Sequence, residues 1–233
     1  MQMVDDYLST AMIDETLRFA GSSLHAPATI FCWLDSDQRI ADFQTTGIPP
    51  CMMEDYLDGR YVHDPLNVYE IIGGTRDVAF LATERNCRPE ESNRMHDQFL
   101  HRYGIHDEVN FIFRLDGAAF ALLAVLNGPT GGTFADRYFN WGAMRDYLEF
   151  TLKLHPRVRR ARQELLLASH FGLTPREIQV VDLLKNGASN MTIAQIMGIG
   201  LATVKTYVIN ILNKLGVENR AAIIAFLAQM KLS

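Results

Sequence analysis

Residues 190–220, NMTIAQIMGIGLATVKTYVINILNKLGVENR, contain two helical patterns separated by Met-Gly-Ile-Gly. Ser189 or Asn190 can cap the first helix, and Gly198 can end it because glycine tolerates the left-handed conformation of a helix terminus. A longer second helix begins after Gly200. A short helix, a tight turn containing glycine and a longer helix are the pattern of a helix-turn-helix.

Two further predicted helices flank this pair. Thr174 and Glu177 form a capping box at the start of one helix, and Gly187 can end it. The other helix covers residues 219–231. The sequence therefore predicts an all-α unit of four helices over residues 172–233.

One side of the longer helix stays exposed when its apolar residues face the core. Lysine, threonine and asparagine side chains can read base edges in a major groove, and basic side chains can neutralise phosphates. The exposed side is predicted to carry Thr203, Lys205, Thr206, Ile209, Asn210 and Lys214.

The charge of the chain is divided unevenly along its length. Residues 156–233 carry ten Lys and Arg against four Asp and Glu, which gives +6. Residues 1–155 carry twelve against twenty-three, which gives −11. A basic tail on an acidic body suggests that only the tail meets a polyanion, although a solvated basic helix face would give the same composition.

Four short patterns run in register through the helical unit. They are Leu173-Thr174-x-Arg176-Glu177, Gly187-x-Ser189-Asn190-x-x-Ile193-Ala194, Thr203-Val204-Lys205 and Lys214-Leu215-Gly216-Val217-x-Asn219-Arg220. Together they resemble the LuxR-type, or GerE-type, DNA-binding domain of bacterial transcription factors. The resemblance implies that Lys205 and Thr206 read bases. It further implies phosphate or orienting contacts from Asn190, Thr203, Lys214 and Arg220.

This unit departs from the LuxR-type pattern at three positions. Gly200 replaces a frequent capping serine, Tyr207 a frequent histidine, and Ile209 a residue that is often basic. Ile209 could contact a thymine methyl group or could be an ordinary packing residue. The preferred DNA sequence therefore stays open.

The first 155 residues change periodicity several times. Residues 28–35 and 39–43 predict one β-hairpin, and residues 108–114 and 118–126, joined by Asp116-Gly117, predict a second. Helices are predicted at residues 2–24, after Pro49-Pro50, at 89–103, and from about residue 135 to residue 167 with a break only at Pro156.

Helices and hairpins in this order predict an antiparallel sheet covered by helices on both faces. The expected fold class is α+β, with an N-terminal α/β/α sandwich and a C-terminal all-α helix-turn-helix domain. We expect a sensor and dimerisation domain at residues 1–155, a linker at 156–171 and a DNA-binding domain at 172–233.

Tyr56, Tyr61, Asp64-Pro65 and Tyr103-Gly104-Ile105 give the first domain a broader resemblance, to the autoinducer-binding domains of quorum-sensing LuxR proteins. In receptors for acyl-homoserine lactones, an aspartate accepts a hydrogen bond from the ligand amide and a tyrosine binds a carbonyl. The resemblance implies these roles for Asp64 and Tyr56.

Three positions differ from what that resemblance implies. Met52 and Leu81 stand where the family has tryptophans, and Glu108 stands where it has a glycine. A buried unpaired carboxylate is costly, so Glu108 is expected to face water, with pairing to an arginine or to a ligand donor as the alternatives. A chemically different ligand is thus favoured over an acyl-homoserine lactone. Further candidate cavity walls, which could equally be core residues, are Trp33, Tyr61, Phe80 and Phe111.

Other classes of protein are less compatible with the sequence. Cys32, Cys51 and Cys87 are widely spaced and form no Cys-x-x-Cys pair, so neither a disulfide framework nor a zinc site is expected. No cofactor is expected either. No catalytic nucleophile motif accompanies His63-Asp64. No apolar run is long enough to span a membrane.

We therefore expect a cytoplasmic homodimer that binds double-stranded promoter DNA and a small-molecule signal. A hydrolase of signal molecules and a ligand-independent regulator remain as alternatives. Whether the protein activates or represses transcription stays open.

Overall fold

The computed structural model describes the backbone of residues 2–230 and the side chains of residues 9–230. Val4 and Leu8, which belong to the first helical pattern, and Lys231, at the predicted end of the last helix, lie outside the described side chains. The chain divides into two compact units, with the boundary between His155 and Pro156. No single described helix is long and apolar enough to cross a membrane.

The first unit is built from an antiparallel sheet and helices. Its helices are α1 (Gln2–Leu24), α2 (Pro50–Leu57), α3 (Val68–Ile71), α4 (Leu81–Glu84), α5 (Glu90–Arg102) and α6 (Trp141–Lys153). Its strands are β1 (Ala28–Leu34), β2 (Ile40–Thr46), β3 (Val78–Phe80), β4 (Asp107–Leu115) and β5 (Ala118–Asn127).

The five strands form one sheet in the order β2-β1-β5-β4-β3, and every neighbouring pair is antiparallel. Both predicted hairpins are confirmed. In the second hairpin Asp116 and Gly117 have φ angles of +49° and +86°, as the two central residues of a type I′ turn require. The predicted α+β fold class is therefore confirmed.

Helices cover both faces of this sheet. Residues of α2, α3 and α5 join one apolar cluster with β1, β4 and β5. On the other face, α1 packs against β1, β2 and β5, while α6 packs against β3 and β4. Since side chains alternate along a strand, the largely buried strands β1, β4 and β5 contribute residues to both layers of the core, whereas β2 has no buried residue.

The long helical region predicted from residue 135 is wrong at its start. Helix α6 begins at Trp141, because the Asn140 side chain accepts a hydrogen bond from the backbone N–H of Ala143 at 3.0 Å and caps the helix there. It ends at Lys153, shortly before Pro156.

The second unit is helical throughout its described residues. Its helices are α7 (Pro156–Ser169), α8 (Pro175–Lys185), α9 (Asn190–Met197), α10 (Leu201–Leu215) and α11 (Arg220–Gln229). Most of the segment expected as a linker is thus a helix. Gln163 of α7 donates to the carbonyl of Leu227 at 3.0 Å and accepts from Lys185 Nζ at 2.6 Å, which holds α7 within this unit.

Candidate functional site

A small cavity of about 50 Å³ lies between the sheet and the α2, α3 and α5 side of the first unit. The strand register determines which sheet residues reach it. Cys32 pairs with Leu122, and Glu108 pairs with Leu126, so these four side chains lie on the same face of the sheet. The walls are mostly apolar, and the polar groups come from α2, the loop after it, α5 and strand β4.

Asp64 is the first polar group of the cavity, and its carboxylate is held in place by two donors. The Tyr56 hydroxyl donates to Oδ2 at 2.7 Å, and the backbone N–H of Leu66 donates to Oδ1 at 2.7 Å. Asp64 is only 3% exposed. The backbone of the loop and the Tyr56 hydroxyl of α2 thus fix the orientation of the carboxylate.

The Tyr56 hydroxyl remains a neutral donor in this environment. Burial, and then the negative charge of Asp64, raise the pKa of Tyr56 well above its usual value. Burial and the nearby Glu108 likewise raise the pKa of the Cys32 thiol to about 12. Neither group therefore contributes a charge to the cavity at neutral pH.

Glu108 is the second acid of the cavity. The expectation that it faces water is wrong, because the alternation of β4 turns its side chain inward and leaves it 7% exposed. No described arginine or lysine forms an ion pair with it. Burial, followed by the negative charge of Asp64, raises the pKa of Glu108 well above the usual range, although the neighbouring Asn110 side chain acts to lower it.

Two more polar residues line the cavity, and sequence reasoning missed both as site residues. Asn110, 2% exposed, has no hydrogen-bond partner for Oδ1, and neither ring nitrogen of His96 has one. The Nε2 of His96 lies 3.5 Å from Asp64 Oδ1. Burial lowers the pKa of His96, so its ring is neutral at neutral pH. The strand period alone could have placed Asn110 beside Glu108, since they are two residues apart.

The structure brings together four of the nine residues predicted to bind the ligand. Met52, Tyr56, Asp64 and Glu108 line the cavity. Leu81 is fully buried in the same apolar cluster without lining the cavity. Tyr61 lies outside it, with its ring centroid 6.3 Å from that of Tyr56.

The three remaining candidates lie on the opposite face of the sheet. Phe80 pairs with Val109, next along β4 from Glu108, and therefore points away from the cavity. Phe80 and Phe111 both contact the ring of Trp141, and Trp33 contacts the ring of His155. These aromatic residues belong to the second core layer, which corrects their assignment to the cavity wall.

In the second unit, α9 and α10 form the predicted pair of helices. They are bent by 111° at the break between them, within the usual range of about 90 to 120° for a helix-turn-helix. Gly198 ends α9 with φ of +64°, the left-handed conformation expected from the sequence. Val204, Ile211 and Leu215 of α10 are buried in the core of the unit.

The opposite side of α10 is exposed and carries most of the predicted DNA-contacting side chains. Exposed positions are Thr203, Lys205, Thr206, Ile209 and Asn210. Asn190, the first residue of α9, is half-buried. Lys205 extends from the exposed side without a salt bridge to any described acid, so its ammonium group is available to a partner.

Lys214 and Arg220, predicted to make phosphate or orienting contacts, have internal partners. Lys214 Nζ donates to Glu177 at 2.7 Å and to the carbonyl of Gly172 at 2.8 Å. Arg220 donates to the carbonyl of Ala188 at 2.6 Å. Lys214 therefore joins α10 to α8, and Arg220 joins α11 to the turn between α8 and α9.

Glu177 combines this ion pair with its capping role. It accepts from the Thr174 backbone at 2.8 Å, while its own N–H donates to the Thr174 hydroxyl, which completes the predicted capping box. Burial opposes ionisation of Glu177, but the hydrogen bonds from Lys214 and Thr174 outweigh it and lower the pKa. The carboxylate thus ties the start of α8 to the end of α10.

Comparison with known proteins gives a family match for the second unit. Residues 172–227 match the family described as "Bacterial regulatory proteins, luxR family", which covers α8, α9, α10 and most of α11. No curated protein sequence matches the chain.

Two solved structures resemble the whole chain weakly. The crystal structure of Escherichia coli SdiA in space group P6522 is 13% identical, with a TM-score of 0.46 over 96% of this chain and 91% of that chain. The structure of SdiA in complex with octanoyl-rac-glycerol is 14% identical, with a TM-score of 0.40 over 95% of this chain and 88% of that chain.

Proposed function

We propose that this protein, whose C-terminal unit belongs to the luxR family of bacterial regulatory proteins, is a transcriptional regulator that binds promoter DNA and senses a small molecule. The observation that carries the proposal is the family match over a helix-turn-helix whose second helix has an exposed polar side. Cytoplasmic location and dimerisation are parts of the same proposal.

DNA binding would place the exposed side of α10 in a major groove. Lys205 and Asn210 offer donors to base edges, while Ile209, 56% exposed, offers an apolar contact to a thymine methyl group. Thr206 donates its hydroxyl proton to the carbonyl of Ala202 at 3.1 Å, so its oxygen lone pairs remain for a base donor.

The simplest experiment for DNA binding is a gel-shift or anisotropy assay at low salt. Fragments selected from the host genome, or from a random duplex library, serve as probes for the full-length protein. We expect a sequence-specific complex whose affinity falls with salt, because phosphate contacts release counterions. Failure to bind any fragment, with and without host extract, would refute the regulator proposal.

Lys205→Ala should weaken binding to the best selected fragment by about 1 to 3 kcal/mol, the usual value of a good base contact. The expected loss is specific to that fragment and smaller on random duplex DNA. Anisotropy titrations of both proteins on both probes measure the difference. Gln179→Ala on the exposed surface of α8 is the control and should bind as the wild type does. If Lys205→Ala and the wild type bind the selected fragment with equal affinity, Lys205 does not contact a base.

Dimerisation would use the exposed side of α6. Tyr147, Phe150 and Leu154 form a stripe at helical spacing and are 57%, 64% and 53% exposed, and the Phe19 ring of α1 lies 5.4 Å from that of Tyr147. Such a stripe suits an isologous contact with a second copy. A two-fold dimer would read half-sites about 34 to 36 Å apart, or multiples of that distance.

Phe150→Glu should convert the dimer to a monomer, because it would bury two unpaired carboxylates at the two-fold contact. Light scattering after size-exclusion chromatography measures the mass. Val62→Glu, a similarly exposed apolar position away from α6, is the control. If the Phe150→Glu protein keeps the mass of a dimer, the contact lies elsewhere.

The cavity of the first unit supports the sensor part of the proposal. It is lined by apolar side chains with a few convergent polar groups, the usual composition of a small-molecule site. Identification by mass spectrometry of the molecule that co-purifies from the native host tests this part directly. Turnover of lactones or amides by the protein, lost in Asp64→Ala, would favour a hydrolase instead.

A further inference from the structure

The polar groups of the cavity are strongly biased toward hydrogen-bond acceptors. Glu108 and Asn110 lie side by side on one face of β4, and Asn110 Oδ1 has no partner. Asp64 adds a second carboxyl group across the same small space. No described lysine or arginine lines the cavity, so the acceptors have no internal cation to satisfy them.

Most hydrogen-bond donors of the cavity already have an acceptor within the protein. The hydroxyl of Tyr56 and the N–H of Leu66 both donate to Asp64, and the Asn110 side chain favours the ionised form of Glu108. When Glu108 is ionised, only the neutral ring of His96 keeps an unpaired N–H, and the same ring also presents an unpaired acceptor nitrogen. A ligand that binds the ionised form of Glu108 must therefore bring donors.

The volume of the cavity and its aromatic walls further restrict the class of ligand that it can bind. A volume of about 50 Å³ admits only a short body, since one water needs roughly 10 to 15 Å³ on this scale. The body would contact apolar walls such as Leu122, Ala124 and Leu126. The rings of Tyr56 and Phe99 also line the cavity, and aromatic faces attract a cation.

Resting on the proposed sensor function, we propose that the cavity binds a small organic cation, a primary ammonium group on a short apolar body. The ammonium group would donate to the Glu108 carboxylate and to Asn110 Oδ1, two of the three hydrogen bonds that such a group can make. A lactone or an ester brings acceptors to the same place and would leave the ionised Glu108 and Asn110 Oδ1 unsatisfied.

Proton release should accompany this binding. The titratable groups around Glu108 are Asp64, Asp107, His96, Tyr56 and Cys32. With its pKa raised by burial and by Asp64, Glu108 is protonated in the empty cavity over a range where a free glutamate is ionised. An ammonium group favours the carboxylate, so its affinity should rise with pH until Glu108 is ionised without ligand. Protonation of His96 in acid would repel the cation and act in the same direction.

The test compares two compounds with the same number of non-hydrogen atoms, butylammonium and butan-1-ol. Calorimetric titration of the full-length protein at millimolar ligand should show at least about tenfold tighter binding of butylammonium at pH 8. That preference should shrink by about tenfold per pH unit wherever Glu108 is protonated. Binding of butan-1-ol should not depend on pH in the same way.

Glu108→Gln keeps the shape of the side chain and removes the acid, so it should abolish both the ammonium preference and its pH dependence. Asn110→Leu should weaken butylammonium binding and leave butan-1-ol binding intact. Glu91→Gln, at an exposed position of α5, is the matched control and should behave as the wild type. Thermal melting of each variant verifies that it is folded.

Equal affinities for the two compounds, or a preference that persists in Glu108→Gln, would overturn the cation proposal. Binding of N-butanoyl-homoserine lactone without binding of butylammonium would also overturn it, and would leave the sensor function standing. The sensor function fails separately, if no small molecule co-purifies from the host and none of the three compounds binds.

Discussion

Asp64→Ala is expected to abolish the response to ligand and to destabilise the first unit. The substitution removes the acceptor for two buried donors, the Tyr56 hydroxyl and the backbone N–H of Leu66. A buried donor without a partner costs about 1 to 3 kcal/mol, so the free energy of unfolding should fall by about 2 to 6 kcal/mol. The polar end of the cavity would lose its fixed geometry at the same time.

Two measurements separate these effects. Chemical denaturation gives the free energy of unfolding, and mass spectrometry of the protein purified from its native host gives the occupancy of the co-purifying molecule. We expect occupancy to fall at least about tenfold, because the loss of one hydrogen bond to a charged group corresponds to about 1.5 to 3 kcal/mol. The helices of the second unit should stay folded, since their core is formed by their own residues.

Asp55→Ala provides a matched control for this prediction. Asp55 also accepts a hydrogen bond from a tyrosine, the Tyr103 hydroxyl at 2.6 Å, but it does not line the cavity. Its removal should cost less stability, because its side chain is 41% exposed, and should not change occupancy. Normal occupancy in Asp64→Ala would show that Asp64 is not the anchor of the ligand.

The fold could be predicted largely from local signals in the sequence. Turn and cap residues act within a few positions of themselves, so the Asp116-Gly117 turn and the Thr174–Glu177 capping box were both recognisable. The start of α6 was not, because Asn140 caps the helix inside a stretch that has no strong breaker. Its effect depends on a side-chain geometry that composition does not reveal.

The candidate site was harder to predict because strand register decides it. Along β4, Glu108 and Asn110 share one face while Val109 and Phe111 share the other, and the amino-acid types alone do not say which face meets a cavity. Aromatic residues were natural choices for the wall, yet Trp33 and Phe111 belong to the opposite layer. An acid that faces an apolar core is costly, so the inward orientation of Glu108 is not expected from the sequence and is seen only in the tertiary structure.

In the helical unit, the sequence does not distinguish a lysine that is free to contact DNA from one that has an internal partner. Lys205 and Lys214 are both lysines of one helix with an exposed side, and the sequence assigned both to DNA. Only the packing of α8 against α10 shows that Lys214 meets the buried carboxylate of Glu177. Lysines with and without an internal partner should therefore respond differently to the same substitution.

Lys214→Met should lower the free energy of unfolding of the second unit by roughly 3 kcal/mol, near the lower end of the usual cost of breaking a buried ion pair. The Glu177 side chain is 3% exposed, whereas that of Lys214 is 33% exposed, so the penalty comes mainly from the carboxylate left without its cation. The bonds from Thr174 to Glu177 remain and moderate the loss.

The loss of stability in Lys214→Met should depend on pH. In the wild type the pKa of Glu177 is lowered on folding, so its contribution to stability is fully present above the usual glutamate pKa of 4.5 and is lost as pH falls through the folded pKa. Without Lys214, burial should raise the pKa, and protonation would then relieve the buried charge. The difference in stability between the two proteins should therefore be largest above both folded pKa values. It should shrink as pH falls through the raised pKa of the variant and then through the lowered pKa of the wild type.

Lys205→Met is the matched control, because it changes an exposed lysine of the same helix that has no described salt-bridge partner. It should weaken DNA binding while leaving the free energy of unfolding nearly unchanged. Lys214→Met should instead lower the free energy of unfolding. At temperatures where the unit remains folded, it should leave the DNA affinity and its salt dependence unchanged. Denaturant titrations and anisotropy measurements on the same samples check both. If Lys214→Met loses DNA affinity while keeping its stability, Lys214 contacts phosphate after all and its bond to Glu177 contributes little.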